Sequence, residues 1–402
     1  MNTGDTAFVL ISAALVMLMT PGLALFYGGM ARSKNVLGTI MHSFICLGLV
    51  TIVWVLWGFS LSFGHDLGGI IGGLEFLGLS GVGMEPAEGS TIPYLAFMVF
   101  QCMFAVITPA LITGAFAERM KFSSFILFVI FWITLVYAPM CHWVWGGGWM
   151  AKMGALDFAG GAVVHMSSGA SALAAVLVIG KRKGYPHDAF IPHNLPMTIL
   201  GAGLLWFGWF GFNAGSALAA NGLAASAFVA THLAAAAAAV SWTAAEWRHR
   251  GQPTTLGAAS GAVAGLVAIT PAAGFVGPMS SLIIGLAAGV ICYGGIMLKG
   301  KFGYDDSLDV VGIHGVGGAF GALATGLFAS ESIGGVNGLF FGNPAQLGIQ
   351  ALSVAATIIF CFVMTLIILK VVGALTGGLR VSLEDEVKGL DLSLHSETGY
   401  QL

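Results

Sequence analysis

Charged side chains are scarce in this sequence. Asp, Glu, Lys and Arg make up 8% of the 402 residues, whereas 57% are hydrophobic and the mean hydropathy is +0.92. Soluble domains carry roughly 25% charged residues, so this chain cannot hide its apolar surface inside one water-soluble core. The net charge of −3 also provides no basic excess for binding nucleic acid. We therefore predict a protein of the lipid bilayer that has no nucleic-acid partner.

Paired cysteines and catalytic motifs are missing as well. The five cysteines stand singly, at Cys46, Cys102, Cys141, Cys292 and Cys361. Without C-x-x-C spacing, a structural zinc site or a disulfide framework is not expected. No P-loop, nucleophile elbow or metal-ligand spacing occurs, and we interpret the glycine-rich stretch 68–73 as a loop. We predict no enzymatic activity, no cofactor and no metal.

Long apolar runs are abundant. A membrane-spanning helix needs about 20 mostly apolar residues. Eleven stretches are candidates, at 6–30, 37–63, 92–116, 122–143, 158–180, 195–217, 221–246, 254–273, 277–298, 309–328 and 346–374. The N-terminus has no basic region before the first run, so no separate signal peptide is expected. We predict an all-α polytopic membrane protein with eleven transmembrane helices.

The basic residues indicate how these spans are oriented. Cytoplasmic loops of membrane proteins collect Lys and Arg. Of the 15 basic residues, only Lys152 falls in an even-numbered connection, whereas clusters such as Lys181–Lys183 follow odd-numbered spans. We therefore predict that the N-terminus lies outside and that the odd connections lie inside. The membrane domain is then 1–376, and 377–402 form a cytoplasmic C-terminal tail.

The first ten spans divide into two sets of five, at about 6–181 and 195–328. Five is an odd number, so the second set begins on the opposite side of the membrane from the first. We predict inverted pseudo-twofold repeats around a central pore, with a site at their interface. The span at 346–374 is an extra helix. The last span of each set carries a histidine, His165 and His314, and the pseudo-twofold axis brings these two together.

Ionisable residues within spans are functional candidates because burying them is costly. One buried histidine alone is equally well explained by a neutral imidazole bonded to a carbonyl, but the pairing of His165 and His314 favours function. Helix capping is the simpler interpretation for Asp157 and Asp309, and we adopt it for Asp309. Asp157 lies on the outer side, where its charge can also favour a cation. His232 has no counterpart, so we expect it to have a structural or subunit-packing role.

Aromatic residues cluster at three places. Phe100 and Phe104 lie on one face of a helix, and the other clusters, at 142–149 and 206–217, are glycine-rich and end two spans. Such clusters are usually core packing or interfacial belts. The latter two also suit a vestibule with aromatic faces and a hydroxyl acceptor. Ring faces attract a small desolvated cation by about 2 kcal/mol.

Eight motifs occur in order along the chain. They are PGLALFYGG at 21–29, GAFAERMKF at 114–122, WGGG at 145–148, GALDFAGGAVVH at 154–165, GWFGFNAGSA at 208–217, SGAVAGLVAITPAAG at 260–274, DVVGIHGVGG at 309–318 and GLDLSLHSETGY at 389–400. Together they resemble the ammonium transporter family (Amt/Mep/Rh), in its bacterial Amt branch. The resemblance covers nearly the whole chain.

The resemblance implies site residues and partners. The implied residues are a recruitment site of Phe100, Phe104, Trp145 and Ser216 near Asp157, a stacked gate of Phe104 and Phe212, and the pore histidines His165 and His314. Family members are trimers with one pore per subunit, and a PII-type signal protein commonly blocks bacterial ones. We therefore expect a homotrimer in the bacterial inner membrane, with a PII-type partner at its cytoplasmic face.

The implied substrate is ammonium, with methylammonium as an analogue. Potassium has a similar size and charge, so cation–π binding alone cannot separate the two ions. Our hypothesis is that ammonium gives up a proton, because a narrow apolar pore excludes bare ions and histidines can relay protons. Transport is electrogenic or neutral according to whether the proton follows.

Two alternatives remain. An ammonium sensor of the same fold would carry an appended domain, for which the roughly 25 residues after the last span are too few, so the sensor that remains is one that only binds ammonium and acts in trans. A neutral NH3 or CO2 gas channel is disfavoured by the intact cation site.

Overall fold

The computed structural model describes residues 1–400 as a helical bundle. Ten helices are long and apolar enough to cross a membrane, and a shorter apolar helix lies between the seventh and eighth of them. In chain order these eleven are α1 (Thr3–Met30), α2 (Ser33–Phe63), α3 (Tyr94–Thr113), α4 (Phe122–Met153), α5 (Gly161–Ile179), α6 (Leu195–Gly215), α7 (Gly222–Arg250), α8 (Thr255–Ile269), α9 (Pro278–Phe302), α10 (Val311–Phe328) and α11 (Pro344–Leu375). The tail adds α12 (Leu383–Lys388) and α13 (Leu390–His395). The prediction of a mostly helical membrane protein is confirmed.

Helix α8 differs from the eighth predicted span, 254–273. It contains 15 residues, which at 1.5 Å per residue reach about 22 Å, less than the roughly 30 Å of a bilayer core. The apolar run continues beyond it as turns up to residue 275. Hydropathy therefore located the segment, but it did not distinguish helix from turn within it.

The loop between α2 and α3 contains a small β-hairpin. Strands β1 (Asp66–Leu67) and β2 (Ile71–Gly72) pair antiparallel. Gly68 and Gly69 make the turn with φ values of 69° and 79°, which favour glycine. The stretch 68–73, interpreted as a loop from the sequence, thus includes the turn and the second strand of a hairpin.

Four of the helices include a π-helical turn. These turns are Trp54–Gly58 in α2, Ile133–Tyr137 in α4, Gly161–Met166 at the start of α5 and Val311–Val316 at the start of α10. Such turns are rare and often mark functional sites. The last two contain His165 and His314, so the two histidines share their backbone geometry as well as their place in the sequence.

Glycine and alanine let the helices pack closely. A Cβ atom on Gly201 of α6 would collide with the backbone nitrogen of Phe26 in α1. A Cβ atom on either Gly265 of α8 or Gly285 of α9 would collide with the carbonyl of Ala234 in α7. Small residues at helix contacts are typical of membrane bundles, where close backbone approach replaces the hydrophobic effect.

The connections after α1, α3, α5 and α9 meet in a buried ion network. Glu118 pairs with Arg32 at 2.7 Å and with Arg182 at 3.4 Å, and Arg182 pairs with Asp305 at 2.8 Å. Burial favours the neutral carboxyls, but the neighbouring guanidinium groups hold the pKa values of Glu118 and Asp305 below their ordinary range. Four odd-numbered connections therefore lie at one end of the bundle.

The tail packs against the same end. Asp391 of α13 accepts a hydrogen bond from the backbone N–H of Gly38 at 2.8 Å. Glu386 of α12 accepts one from the N–H of Lys183 at 2.7 Å, and Arg380 pairs with Glu386 at 2.6 Å. The tail thus rests on the beginning of α2 and on the connection after α5.

Candidate functional site

A cavity of about 290 Å³ opens at the opposite end of the bundle from the tail, and we call it the aromatic cavity. Its lining side chains are Phe63, Phe97, Gln101, Phe104, Val144, Trp145, Phe158, Ser216 and Leu218. Three of the predicted recruitment residues, Phe104, Trp145 and Ser216, are among them. Their rings and hydroxyl come from α3, from a break in α4 between Val144 and Trp149, and from the end of α6.

Hydrogen bonds fix two of these side chains. The indole N–H of Trp145 donates to the carbonyl of Asp157 at 2.9 Å, and the hydroxyl of Ser216 donates to the carbonyl of Phe212 at 2.8 Å. The Trp145 ring lies edge-on to Phe104, with centroids 5.8 Å apart. The cavity therefore offers a cation aromatic rings and the lone pairs of a serine oxygen.

Phe100 does not line the aromatic cavity. Its ring is buried and contacts Phe104 at a centroid distance of 5.0 Å, and a Cβ atom on Gly215 would lie 2.9 Å from it. Phe100 accordingly supports the Phe104 ring from behind. Its contribution to cation binding stays a prediction.

Two phenylalanine rings close the floor of the aromatic cavity. Phe104 and Phe212 have centroids 4.2 Å apart and planes inclined by 35°, and each is only 1% exposed. Phe104 lines the aromatic cavity, whereas Phe212 lines the space on the other side. A solute can pass between the two spaces only if these rings move.

Beyond Phe212 lies a small enclosed space, which we call the histidine chamber. His165, His314, Trp209 and Phe212 line it together with mostly aliphatic side chains of several helices. Its free volume is about 10 Å³, about what one water molecule requires. Its walls suit a small neutral molecule and not a hydrated ion.

The two histidines contact each other directly. Their Nδ1 atoms are 3.2 Å apart and the ring planes are inclined by 25°. A hydrogen bond at this distance requires that one Nδ1 carries the proton and the other accepts it. His165 also stacks on Trp209 and Phe212, and its Nε2 is buried without a partner within residues 1–400. The pair is arranged to pass a proton between two nitrogens while a third stays free.

Asp157 caps the beginning of α5, at the π-helical turn that contains His165. Its carboxylate accepts hydrogen bonds from four consecutive N–H groups, those of Gly160, Gly161, Ala162 and Val163, at 2.5–3.2 Å. Burial raises the pKa of this carboxyl, although the four donors favour its ionised form. The carboxylate does not line the aromatic cavity, so its capping role is direct and any effect on a cation acts over a distance.

The capping interpretation of Asp309 is wrong. Asp309 has φ of +63° and forms an ion pair with Lys299 at 2.5 Å. Asp306 instead accepts from the N–H of Val311 at 2.8 Å. Asp306 precedes His314 by eight positions, as Asp157 precedes His165, so Asp306 is the equivalent of Asp157. Burial, followed by the Asp309 charge, raises the pKa of Asp306 to about 6.

The backbones of the two histidine helices touch. A Cβ atom on Gly169 would collide with the backbone of Gly315, the residue after His314. A Cβ atom on Gly318 would lie 3.0 Å from the backbone nitrogen of Met166, the residue after His165. Main-chain contacts thus determine how far apart the imidazoles lie.

The remaining intramembrane histidines lie elsewhere. His142 contacts the Ser62 carbonyl at 3.0 Å and the Asp66 carboxylate at 2.9 Å, which joins α4 to the hairpin loop. His42 packs at 4.6 Å from Phe125. His232 is exposed on α7, beside Trp206. Each of these three histidines contacts residues outside the histidine chamber.

Two glutamines near the site were missed in the sequence. Gln101 lines the aromatic cavity. Gln350 of α11 exchanges hydrogen bonds with both the N–H and the carbonyl of Leu156, at 2.7 and 2.8 Å, and donates to the carbonyl of Ala322 in α10 at 3.0 Å. Both are amides in apolar spans, which is a signal in the sequence, but they carry no charge and the cost of burying ionisable groups does not point to them.

Residues 1–400 contain no group of three or more His, Cys, Asp or Glu side chains placed to hold a metal ion. The five cysteines are free and buried. The polar side chains that line the two spaces are the imidazoles of His165 and His314, the hydroxyls of Ser216 and Tyr27, the indoles of Trp145 and Trp209, and the amide of Gln101.

Known proteins match this chain over its full length. Residues 7–400 fit the model of the Ammonium Transporter Family. The chain is 55% identical to an ammonium transporter of Bacillus subtilis, over 100% of this chain and 99% of that protein. It is 51% identical to Ammonium transporter Amt1 of Archaeoglobus fulgidus, with 100% of both covered.

Solved structures agree with these matches. The crystal structure of Saccharomyces cerevisiae Mep2 superimposes with a TM-score of 0.90 at 36% identity, covering 96% of this chain and 88% of that one. A structure described as Sensor Amt Protein gives a TM-score of 0.91 at 31% identity, covering 97% and 98%. With ten apolar helices, the chain is a multi-pass protein of the plasma membrane. Its sequence, its fold and its paired histidines agree, and the chain belongs to the ammonium transporter family.

Proposed function

We propose that the protein carries ammonium into the cell by recruiting the cation, removing its proton and conducting ammonia. The observation that carries this proposal is the histidine chamber: two imidazoles 3.2 Å apart in a free volume of about 10 Å³, behind an aromatic cavity. An unpaired ion would lose its hydration there at a cost of many kcal/mol. Ammonia is neutral and has a much smaller cost.

The roles we propose follow the path of the substrate. Phe104, Trp145 and Ser216 bind the cation, supported by Phe100 and by the charge of Asp157. Phe104 and Phe212 are the gate. His165 and His314 accept and donate hydrogen bonds to ammonia in the chamber and relay the proton, since an imidazole exchanges the roles of its two nitrogens readily. Potassium has no proton to give up, so this sequence of steps rejects it.

We propose that all eleven helices cross the membrane, α8 with the turns that follow it. The N-terminus is then outside and the tail, 377–402, inside. We take the inward end to be the one that holds the buried ion network and the tail, because the basic connections after α1, α3, α5 and α9 meet there. This choice agrees with the positive-inside rule. The matching eight-residue spacing from Asp157 to His165 and from Asp306 to His314 supports inverted repeats at about 6–181 and 195–328, with 346–374 added to a membrane domain of 1–376.

We propose a homotrimer with one pore per subunit, and a PII-type signal protein as the partner at the inward end. Both rest on the family resemblance. We assign His232 to the subunit contact because an exposed imidazole on the side of α7 is costly against lipid. A monomeric mass for the intact protein in native mass spectrometry would contradict this assembly.

Uptake of labelled methylammonium by cells without their own transporters tests the function. The wild-type chain should take up label that ammonium competes away. The double variant H165A/H314A should lose this uptake or admit potassium. If the double variant takes up label as the wild type does and still excludes potassium, the proposed role of the two histidines in selectivity is refuted.

Charge movement decides between the two versions of transport. Proteoliposomes on a solid-supported membrane receive an ammonium pulse, and a sustained current indicates that the proton crosses with ammonia.

A sensor of the same fold is the alternative that the similarity to Sensor Amt Protein favours. A sensor would bind ammonium without any flux in the same proteoliposomes.

A further inference from the structure

We propose that Gln101 is a direct ligand of the cation in the aromatic cavity, accepting an N–H bond through its amide oxygen. This inference rests on the proposed function and names a residue that it did not include. Gln101 lies on α3, three positions before Phe104, and its side chain lines the cavity. The residue is only 8% exposed, and within residues 1–400 its Oε1 atom has no hydrogen-bond partner.

A buried amide oxygen without a partner requires an explanation. The large majority of buried side-chain polar atoms in proteins are hydrogen-bonded, because an unsatisfied one is costly. The two other buried glutamines within residues 1–400, Gln346 and Gln350 of α11, follow that rule and bond to backbone groups. The Gln101 side chain lines a cavity, and a rotation of its amide presents the unsatisfied oxygen to a ligand with N–H groups, which can supply the missing donor.

The other polar groups of the cavity leave this role open. The indole N–H of Trp145 is engaged by the Asp157 carbonyl, so Trp145 presents only its ring. Ser216 donates its proton to the Phe212 carbonyl and offers lone pairs. The Asp157 carboxylate is occupied by four backbone N–H groups. The acceptors that remain on the wall are the Ser216 hydroxyl and the Gln101 amide.

Two acceptors give the cavity a preference that rings alone do not have. Ring faces attract any small cation, whereas a hydrogen-bond acceptor distinguishes ammonium, with four N–H donors, from ions that have none. A site built to form hydrogen bonds rejects analogues that lack the matching groups, because its buried polar atoms then stay unpaired. Gln101 thereby contributes to selectivity before any proton is removed.

The test measures two quantities for each variant, the half-saturation concentration and the maximal rate of methylammonium uptake. Gln101→Met has a similar length and no acceptor, and Gln101→Glu keeps an oxygen at the same place. Labelled methylammonium uptake should show a roughly tenfold higher half-saturation concentration for Q101M, with the maximal rate per transporter unchanged. Q101E should keep the wild-type value or lower it, and potassium should compete better with methylammonium in Q101M, which has no acceptor.

Cys102→Ala is the matched control, since Cys102 is the next residue of α3, is buried, and contacts Thr51 of α2 instead of the cavity. It should keep the wild-type half-saturation. If Q101M also keeps it, or loses only maximal rate, Gln101 is structural and the inference is overturned. Should Q101M not accumulate in the membrane, Q101N withdraws the acceptor by one methylene and must raise half-saturation severalfold. Absence of uptake by the wild-type chain would instead overturn the proposed function.

Discussion

Replacing Asp157 by asparagine tests how strongly its carboxylate stabilises the first turn of α5, which contains His165. Each carboxylate oxygen accepts two N–H bonds: one from Gly160 and Gly161, the other from Ala162 and Val163. An asparagine keeps one oxygen and places its NH2 group at the other, so two buried donors lose their acceptor. At about 1–3 kcal/mol for each unsatisfied donor, Asp157→Asn should destabilise the fold by about 2–6 kcal/mol. The lower part of this range is expected, because the substitution also removes a buried charge.

Asp306→Asn is the matched control for this experiment. Asp306 occupies the equivalent place before His314, but its carboxylate accepts from the N–H of Val311 on one oxygen, and its other oxygen is unpartnered within residues 1–400. At pH 7 this variant should therefore not destabilise the fold, and replacing a carboxyl whose pKa is raised to about 6 by a neutral amide should instead stabilise it. Thermal unfolding of purified protein in detergent, followed by tryptophan fluorescence, measures both. Equal midpoints for Asp157→Asn and the wild type, or an equal loss for both variants, would refute the reasoning.

Two further predictions concern neighbouring groups. Gln350→Leu removes bonds to Leu156 and Ala322, so we expect a lower thermal midpoint and a severalfold higher half-saturation for methylammonium; an unchanged half-saturation would contradict a positioning role. The pKa of Asp306 is raised from 3.8 to about 6, so its contribution to stability is present below pH 4 and is lost as the pH rises through 6, on the order of 3 kcal/mol. The midpoint of the wild type should fall accordingly between pH 4 and 7, and Asp306→Asn should flatten that part of the profile; an identical profile in the variant would rule this out.

Much of the fold was predictable because a membrane imposes a simple pattern on the sequence. Apolar runs located ten helices and the shorter α8, since every backbone group in lipid must be bonded within its own helix. The break after Ile269 was not predictable. Its turns are as apolar as a helix, and they are buried by neighbouring segments and not by lipid.

The site was predictable where it depends on chemistry that lipid disfavours. His165 and His314 were paired from their positions alone, and they lie 3.2 Å apart. The capping interpretation of Asp309 failed because Asp306 and Asp309 both precede His314, and the sequence does not tell which of the two carboxylates faces the helix start. Counting eight residues back from His314 to Asp306 would have found it.

Neutral side chains were the harder case. Gln101 and Gln350 carry no charge, and an amide in a span is inexpensive once it has a partner, so neither stood out. Phe100 was expected in the recruitment site because the family resemblance implies it, and it shares a helix face with Phe104. A face can include both a lining ring and the ring behind it, and only the packing against Gly215 separates the two.

The glycine contact between α5 and α10 limits what evolution or mutation can do to this pore. Because Gly169 and Gly315 meet through their main chains, the two imidazoles are held at a spacing that no side-chain exchange around them can widen. The width of the passage between the two imidazoles is therefore set by the main chains of α5 and α10. A change in permeant size would require moving two whole helices, whereas a change in affinity requires only new side chains in the aromatic cavity, so the two properties can diverge independently among related proteins.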